Sequence, residues 1–236
     1  MRDRTLKRLY SVFVRLAPQR ILVNGALYWS LYAAFWSMTR RRASGGVLGT
    51  HWKNEGTFLE ILKHYARGDA DALEIGCGGG RITREAAPLV RTLVATDVSR
   101  GMLALARRAL RDRPNVVFAR TDGFTLEKFT DASFDLVFSH DVFVHFSSLQ
   151  TYPYLREIRR VLRQGGVALL SFYSFTAQFA VFRDLALEYH SARKIPLHMR
   201  IHFVTEEMLR AMATDAGLQV EKIDSGDFLT AVFRKP

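Results

Sequence analysis

The residues that could do chemistry begin at Leu73-Glu74-Ile75-Gly76-Cys77-Gly78-Gly79-Gly80, an apolar run that ends in glycines and leads straight into a helical pattern at Arg81. Glycines at positions 76, 78 and 80 let backbone approach a ligand where a side chain would collide, and a helix that follows offers unpaired amide groups. Such a turn is also compatible with a plain strand-to-helix connection, or with a dinucleotide fingerprint, which needs its third glycine further along. Glu74, at the end of a buried strand, is poorly explained by packing. Asp97 follows Gly80 by 17 residues at the end of the next apolar run, where a carboxylate can take both hydroxyls of a ribose. Thr121-Asp122-Gly123 ends a third run and offers an acid to an adenine amino group, and Ser139-His140 ends a fourth.

These residues need elements that bring them to one edge. Apolar runs at 72–75, 92–96, 116–119, 134–139 and 166–173 alternate with helical patterns at 51–67, 81–90, 99–111 and 149–163. Short buried strands separated by amphipathic helices predict an α/β fold with a parallel sheet wound on both faces, which places Glu74, Asp97, Asp122 and Ser139 along its carboxyl edge. The end of the chain breaks the alternation: a helix at 205–216, then 218–223, a turn at Asp224-Ser225-Gly226-Asp227, and 228–233. The last pair predicts a hairpin and an antiparallel edge strand.

The motif set resembles the class I S-adenosylmethionine-dependent methyltransferases. LEIGCGGG is similar to that family's glycine motif, ATDVSRGML to its acidic loop, ARTDG to its adenine-side loop, FDLVFSHDVFVHF to its fourth-strand motif and LRQGGVALLSFY to its fifth strand. The likeness runs from about Trp52 to Lys235. It implies a Rossmann-like, doubly wound seven-stranded sheet, mostly parallel with an antiparallel C-terminal strand, and S-adenosyl-L-methionine as cofactor with S-adenosyl-L-homocysteine as product. By the same resemblance Glu74, Gly76 and Gly78 surround the methionine part of the cofactor, with Cys77 a small filler of that turn and no nucleophile. Asp97 holds the ribose, Val98 and Met102 pack the adenine, and Asp122 and Gly123 meet its edge, with Ser139 on the same sheet edge.

Methyl transfer from a sulfonium is an in-line displacement with a good leaving group, so alignment and exclusion of water matter most. If the acceptor is a hydroxyl, phenol or ammonium group, a base helps, and the candidates are His140, Asp141 and His145 after the fourth strand. Tyr173 and the trio His190, His198 and His202 fall where the resemblance puts the acceptor pocket. The trio lacks metal-like spacing, and no metal is expected.

The chain has 236 residues, 48% of them hydrophobic, and one cysteine, which excludes disulfide scaffolds and disordered classes and suits a reducing, cytoplasmic compartment. The net charge is +11, but residues 1–42 carry nine basic side chains against Asp3 and hold +8 of it. The +3 of the body makes nucleic acid a weaker partner than a small-molecule or lipid acceptor, although RNA methylation with the basic extension binding phosphate stays open. Ser139-His140-Asp141-Val142 also lacks the Pro-Pro-aromatic signature of base-amine methylation.

Residues 1–46 form an extension ahead of a domain at 47–236, with Ala43-Ser44-Gly45-Gly46 as linker. Its first part, 2–16, has the pattern of a basic amphipathic helix. From Ile21 to Thr39 no charge occurs, Tyr28, Trp29, Tyr32, Phe35 and Trp36 face one way, and Ala26, Ser30, Ala33 and Ser37 form a small-residue stripe. This predicts a helix lying in an anionic membrane surface, on its cytoplasmic face, or docked as a lid, more than one that spans. The sequence does not fix the oligomeric state.

Overall fold

A computed structural model describes residues 25–39, 55–192, 201–226 and 228–236. The expected helix at 2–16, the linker at 43–46 and His198 lie outside the described residues. The elements in chain order are α1 (Gly25–Thr39), α2 (Glu55–Tyr65), β1 (Asp71–Ile75), α3 (Arg81–Ala86), β2 (Thr92–Asp97), α4 (Arg100–Ala109), β3 (Val116–Arg120), β4 (Phe134–Ser139), α5 (Ser148–Val161), β5 (Leu162–Ser174), α6 (Phe179–Ala192), β6 (Phe203–Val204), α7 (Glu206–Asp215), β7 (Gln219–Ser225) and β8 (Phe228–Arg234).

The sheet runs in the order β3-β2-β1-β4-β5-β8-β7, with the two-residue β6 beside the end of β5. β3, β2, β1, β4 and β5 pair in parallel, and β8 is antiparallel to both β5 and β7. The hairpin predicted at the C-terminus forms, but its antiparallel member is not at the edge. β8, whose middle residues are all buried, inserts between β5 and β7, and β7, with four exposed residues in seven, takes the edge. The more apolar strand of the hairpin buries more surface in the inner position.

Period-two alternation sorts the central strands between two helical layers. Leu73, Ile75, Val137, Ala168, Leu170 and Phe172 face one core with Tyr154, Leu155 and Ile158 of α5 and Leu209 and Ala213 of α7. Ala72, Leu136, Phe138, Val167 and Leu169 face the other with Phe58 and Leu62 of α2 and Ile82 and Ala86 of α3. The helix predicted over 81–90 stops at Ala86 and tightens into a 3-10 turn at Ala87–Leu89, because Pro88 has no amide to donate back along an α-helix.

Caps set the ends nearest the carboxyl edge. Ser99 accepts from the Met102 amide to start α4, Thr205 accepts from the Met208 amide to start α7, and Ser147 with Gln150 forms a capping box for α5. At the opposite edge the Asp71 carboxylate gathers Arg91, Thr92 and Arg163, tying the starts of β1, β2 and β5 together far from any ligand.

α1 lies along α4. Ala33 is buried, and a Cβ added to Gly101 would come within 2.9 Å of the Ala33 Cβ and 3.4 Å of the Ser30 carbonyl oxygen. Ser30 and Ala33 of the small-residue stripe therefore meet protein. Among the described residues no helix is long and apolar enough to cross a membrane.

Candidate active site

The loop after β1 is fixed from both sides. The Cys77 amide donates to the Thr96 carbonyl at 2.7 Å, the Thr96 hydroxyl donates to the Glu74 carbonyl at 2.7 Å, and the Gly80 amide closes the turn onto the Cys77 carbonyl at 2.9 Å. Gly76 has φ +75°, and a Cβ there would collide with the Val142 side chain. Gly78, at φ +52°, has no protein atom within 4 Å of where its Cβ would stand, so its open side is free for a ligand.

Asp97 ends β2 against this loop. Its carboxylate accepts from the Gly78 amide at 3.0 Å and from the Ser99 amide at 2.8 Å, and burial raises its pKa to about 6 in spite of those donors. Glu74 is 3% exposed. Burial raises its pKa to about 8, opposed by the Thr83 hydroxyl, which donates to Oε2 at 2.5 Å, assisted by the Asp97 charge and opposed again by Arg81. Cys77 is buried, and burial pushes its thiol up, which disfavours the thiolate.

One cavity of about 370 Å³ lies over this edge. Glu74, Gly76, Cys77, Gly78, Asp97, Val98, Met102, Gly123, His140, Asp141, His145 and Tyr173 all line it. The fold brings these residues together from five strand ends.

Two expected cofactor residues do not reach it. Asp122 is exposed and its carboxylate is turned onto its own loop, accepting from the amides of Phe124 and Thr125, each at 2.8 Å, and from the Thr125 hydroxyl at 3.0 Å. Short acids cap the chain two and three residues on more readily than they reach out. Thr121 and Gly123 line the cavity in its place. Ser139 is fully buried, and its hydroxyl donates to the Ile75 carbonyl at 2.8 Å, a tie between β4 and β1 in place of a ligand contact.

The far wall is aromatic. Trp29 meets His145 edge-on with centroids 5.2 Å apart, and Tyr28 and Tyr32 of the same helix line the cavity with it. Tyr173, at the end of β5, stacks on Phe228 at 4.7 Å. Asp141 adopts φ +59°, its amide held by the Ser171 hydroxyl at 3.0 Å, which brings its carboxylate 3.5 Å from Arg81 and 3.5 Å from His140 Nε2. His140 is packed 4.5 Å from the Phe58 ring, and burial, with Arg81 nearby, pushes its pKa down to about 3. It is a neutral imidazole at any ordinary pH, and a poor base in this resting arrangement.

Sequence reasoning passed over Arg81, Tyr154 and Ile201, which also line the cavity. Arg81 had a signal, as the first helical residue after the glycines. Tyr154 has the spacing of a core residue, and Ile201 is remote in sequence. His190 is exposed and His202 half-buried, and no group of metal-ligating side chains occurs among the described residues.

Residues 73–170 match a family described as a methyltransferase domain. The chain is 35% identical over 143 residues to a protein of Encephalitozoon cuniculi named as a methyltransferase, covering 60% of this chain but only 58% of that relative. It is 30% identical over 194 residues to the ubiquinone/menaquinone biosynthesis C-methyltransferase of Hahella chejuensis, covering 72% of this chain and 75% of that enzyme. A solved S-adenosylmethionine-dependent methyltransferase of Methanosarcina mazei has the same fold, with a TM-score of 0.62 at 19% identity over 74% of this chain and 96% of that one. A structure from Bordetella parapertussis matches with a TM-score of 0.66 at 18% identity over 98% and 97%.

Proposed function

This chain belongs to the class I S-adenosylmethionine-dependent methyltransferases, and from that premise we propose that it methylates an O, N or C atom of an apolar, ring-bearing small molecule or lipid-like acceptor. The observation that carries the acceptor class is the wall of Tyr28, Trp29, Tyr32, His145, Phe146 and Tyr173, set in one cavity with the glycine loop.

The residues present fit the cofactor. Gly78 leaves a face that a Cβ would fill, and the Asp97 carboxylate is placed beside it by two backbone amides. Asp97 would take the ribose hydroxyls, Val98 and Met102 the adenine faces, and Glu74 with the loop amides the methionine end. When bound, S-adenosylmethionine supplies a methyl group on a sulfonium that needs no further activation. The protein's part is to align the acceptor and keep water away, and the aromatic wall does both.

A series of ring contacts continues outward from that wall. Tyr173 contacts Phe203 with centroids 5.7 Å apart, Phe203 contacts Phe182 at 5.7 Å, and Phe182 meets Phe179, which is 50% exposed on α6. Apolar surface of this kind beside the cavity suits a lipid-like acceptor, and the quinone-biosynthesis name of the Hahella relative supports the same class. The basic residues of the extension would hold the enzyme at an anionic membrane surface. Charge reversal of Arg4, Lys7, Arg8 and Arg15 should then abolish salt-sensitive sedimentation with phosphatidylglycerol vesicles.

The deciding experiment is mass spectrometry after incubating the protein and S-adenosylmethionine with a total lipid extract or with bulk RNA. New mass in steps of one methyl group among lipid or quinone species carries the proposal. A gain confined to RNA overturns it and turns the N-terminal arginines into a phosphate-binding arm.

A further inference from the structure

The charge of the body is as uneven as that of the whole chain. Residues 98–121 hold six arginines, Arg100, Arg107, Arg108, Arg111, Arg113 and Arg120, against one acid, Asp112, so this stretch alone carries more than the +3 of the entire body. Asp112 is already taken by Arg84 at 3.2 Å and by Arg113 at 3.8 Å. Arg107 lies over the Phe118 ring at 5.5 Å, and Arg120 donates to the Val98 carbonyl at 3.1 Å. The side chains of Arg100, Arg108 and Arg111 are exposed and make no hydrogen bond or ion pair to any described residue.

Helical geometry gathers these charges. Positions 100, 107, 108 and 111 fall on one face of α4, opposite Met102, Leu103 and Ala106, which are buried. α1 lies beside that face, against Gly101, which stands two turns from Arg108 on the same side of the helix.

α1 itself has three sides. Ser30 and Ala33 meet α4, and Tyr28, Trp29 and Tyr32 line the cavity. The remaining side holds Leu27, 40% exposed, and Ala34, also exposed, with Leu31 half-buried between them. Nucleic acid would use the arginines but gain nothing from this apolar ridge. Guanidinium groups beside an uncharged apolar ridge suit lipid phosphates with acyl chains beneath them.

Resting on the membrane reading above and deepening it, we propose that this face of α1 and α4 is a docking surface for anionic lipid. Arg100, Arg108 and Arg111 take headgroup phosphates, while Leu27, Leu31 and Ala34 enter the boundary between headgroups and acyl chains. The helix that walls the cavity is thereby laid against the lipid from which an apolar acceptor comes. The body, and not only the extension ahead of it, sets the orientation of the enzyme on the membrane.

The test is sedimentation of full-length protein with vesicles of equal phosphatidylcholine and phosphatidylglycerol, each variant compared at unchanged circular dichroism. Arg100→Gln, Arg108→Gln and Arg111→Gln together keep a good helix former at each position and should weaken binding by about a hundredfold, near fivefold for each arginine. The same charge removed elsewhere, by Arg67→Gln, Arg156→Gln and Lys222→Gln, should weaken it by only about threefold, through screened long-range attraction. Ala34→Trp, which adds apolar surface to the ridge, should tighten binding by about threefold or more.

Equal vesicle binding by the α4 variant and its charge-matched control, or indifference to Ala34→Trp, overturns the docking surface. Tighter binding of bulk RNA than of vesicles, lost in the same α4 variant, overturns it too and makes the face one for nucleic-acid phosphate. No sedimentation of the unaltered protein is a separate result, and overturns the membrane reading on which the docking surface stands.

Discussion

The hydroxyls of Ser30 and Ser99 lie 3.0 Å apart, and through them α1 is fastened to the cap of α4. Ser99 already accepts from the Met102 amide at 3.1 Å, and its own amide donates to Asp97. The helix that carries Tyr28, Trp29 and Tyr32 is thus joined, within two residues, to the carboxylate expected to hold the ribose.

That joint predicts the effect of Gly101→Leu. The added side chain cannot fit against Ala33 and Ser30, so α1 should lift, while α4 itself gains a helix former worth about 1 kcal/mol over glycine. S-adenosylhomocysteine release, followed by stopped-flow tryptophan fluorescence, should speed up by about tenfold, the rate set by an opened lid. An unchanged release rate in a variant with normal circular dichroism would show that α1 does not close the site.

Asp97 should make cofactor affinity depend on pH. Its pKa of about 6 means the carboxylate is ionised at pH 8 and protonated at pH 5, where it loses an acceptor site for ribose hydroxyls. Calorimetry should find affinity level above about pH 7 and falling by about tenfold for each further unit below pH 6. Asp97→Asn should bind weakly at every pH. A wild-type affinity that stays level down to pH 5 would remove Asp97 from the ribose site.

Glu74 should cost the ligand-free fold stability as pH rises. Its folded pKa, about 8, lies above the ordinary 4.5, so below pH 4.5 both states are protonated and nothing is lost. Between 4.5 and 8 the unfolded chain ionises first and stability declines, reaching its full loss above 8. Glu74→Gln escapes this. Its melting temperature should exceed that of the wild type by a margin at least about 4 °C wider at pH 8 than at pH 5, and a constant margin would contradict the buried, protonated carboxyl.

Ser139→Ala and Asp122→Ala separate packing from binding. Losing the bond from Ser139 to Ile75, or the cap that Asp122 makes for its own loop, should lower stability by about 1 kcal/mol each in urea unfolding. Cofactor affinity should stay within about twofold for both. A tenfold loss for either would return that residue to the cofactor site.

Much of the site was legible because its chemistry is local. The glycines of 76–80 and the acid of Asp97 sit at strand ends that composition marks out, and a parallel sheet must bring strand ends to one edge. Ser139 and Asp122 were misjudged because a short polar side chain at such an end has two uses, and only coordinates show whether it turns to the neighbouring backbone or to the cavity. Arg81 was marked only by its place straight after the glycines, and that place does not tell an inward arginine from a solvated one.

By itself the sequence determined the alternation of strands and helices, the glycine loop, the carboxylates of Glu74 and Asp97 and the concentration of charge in residues 1–42, since each depends on residues near one another in the chain. Tertiary structure alone decided that β8 enters between β5 and β7, that α1 rests on Gly101 and that Trp29 meets His145. It also decided that His140 stands beside Phe58 with its nitrogens unpaired. Those contacts join residues tens to more than a hundred positions apart, and what selects them is the burial of apolar surface summed over the whole domain, which no local pattern encodes.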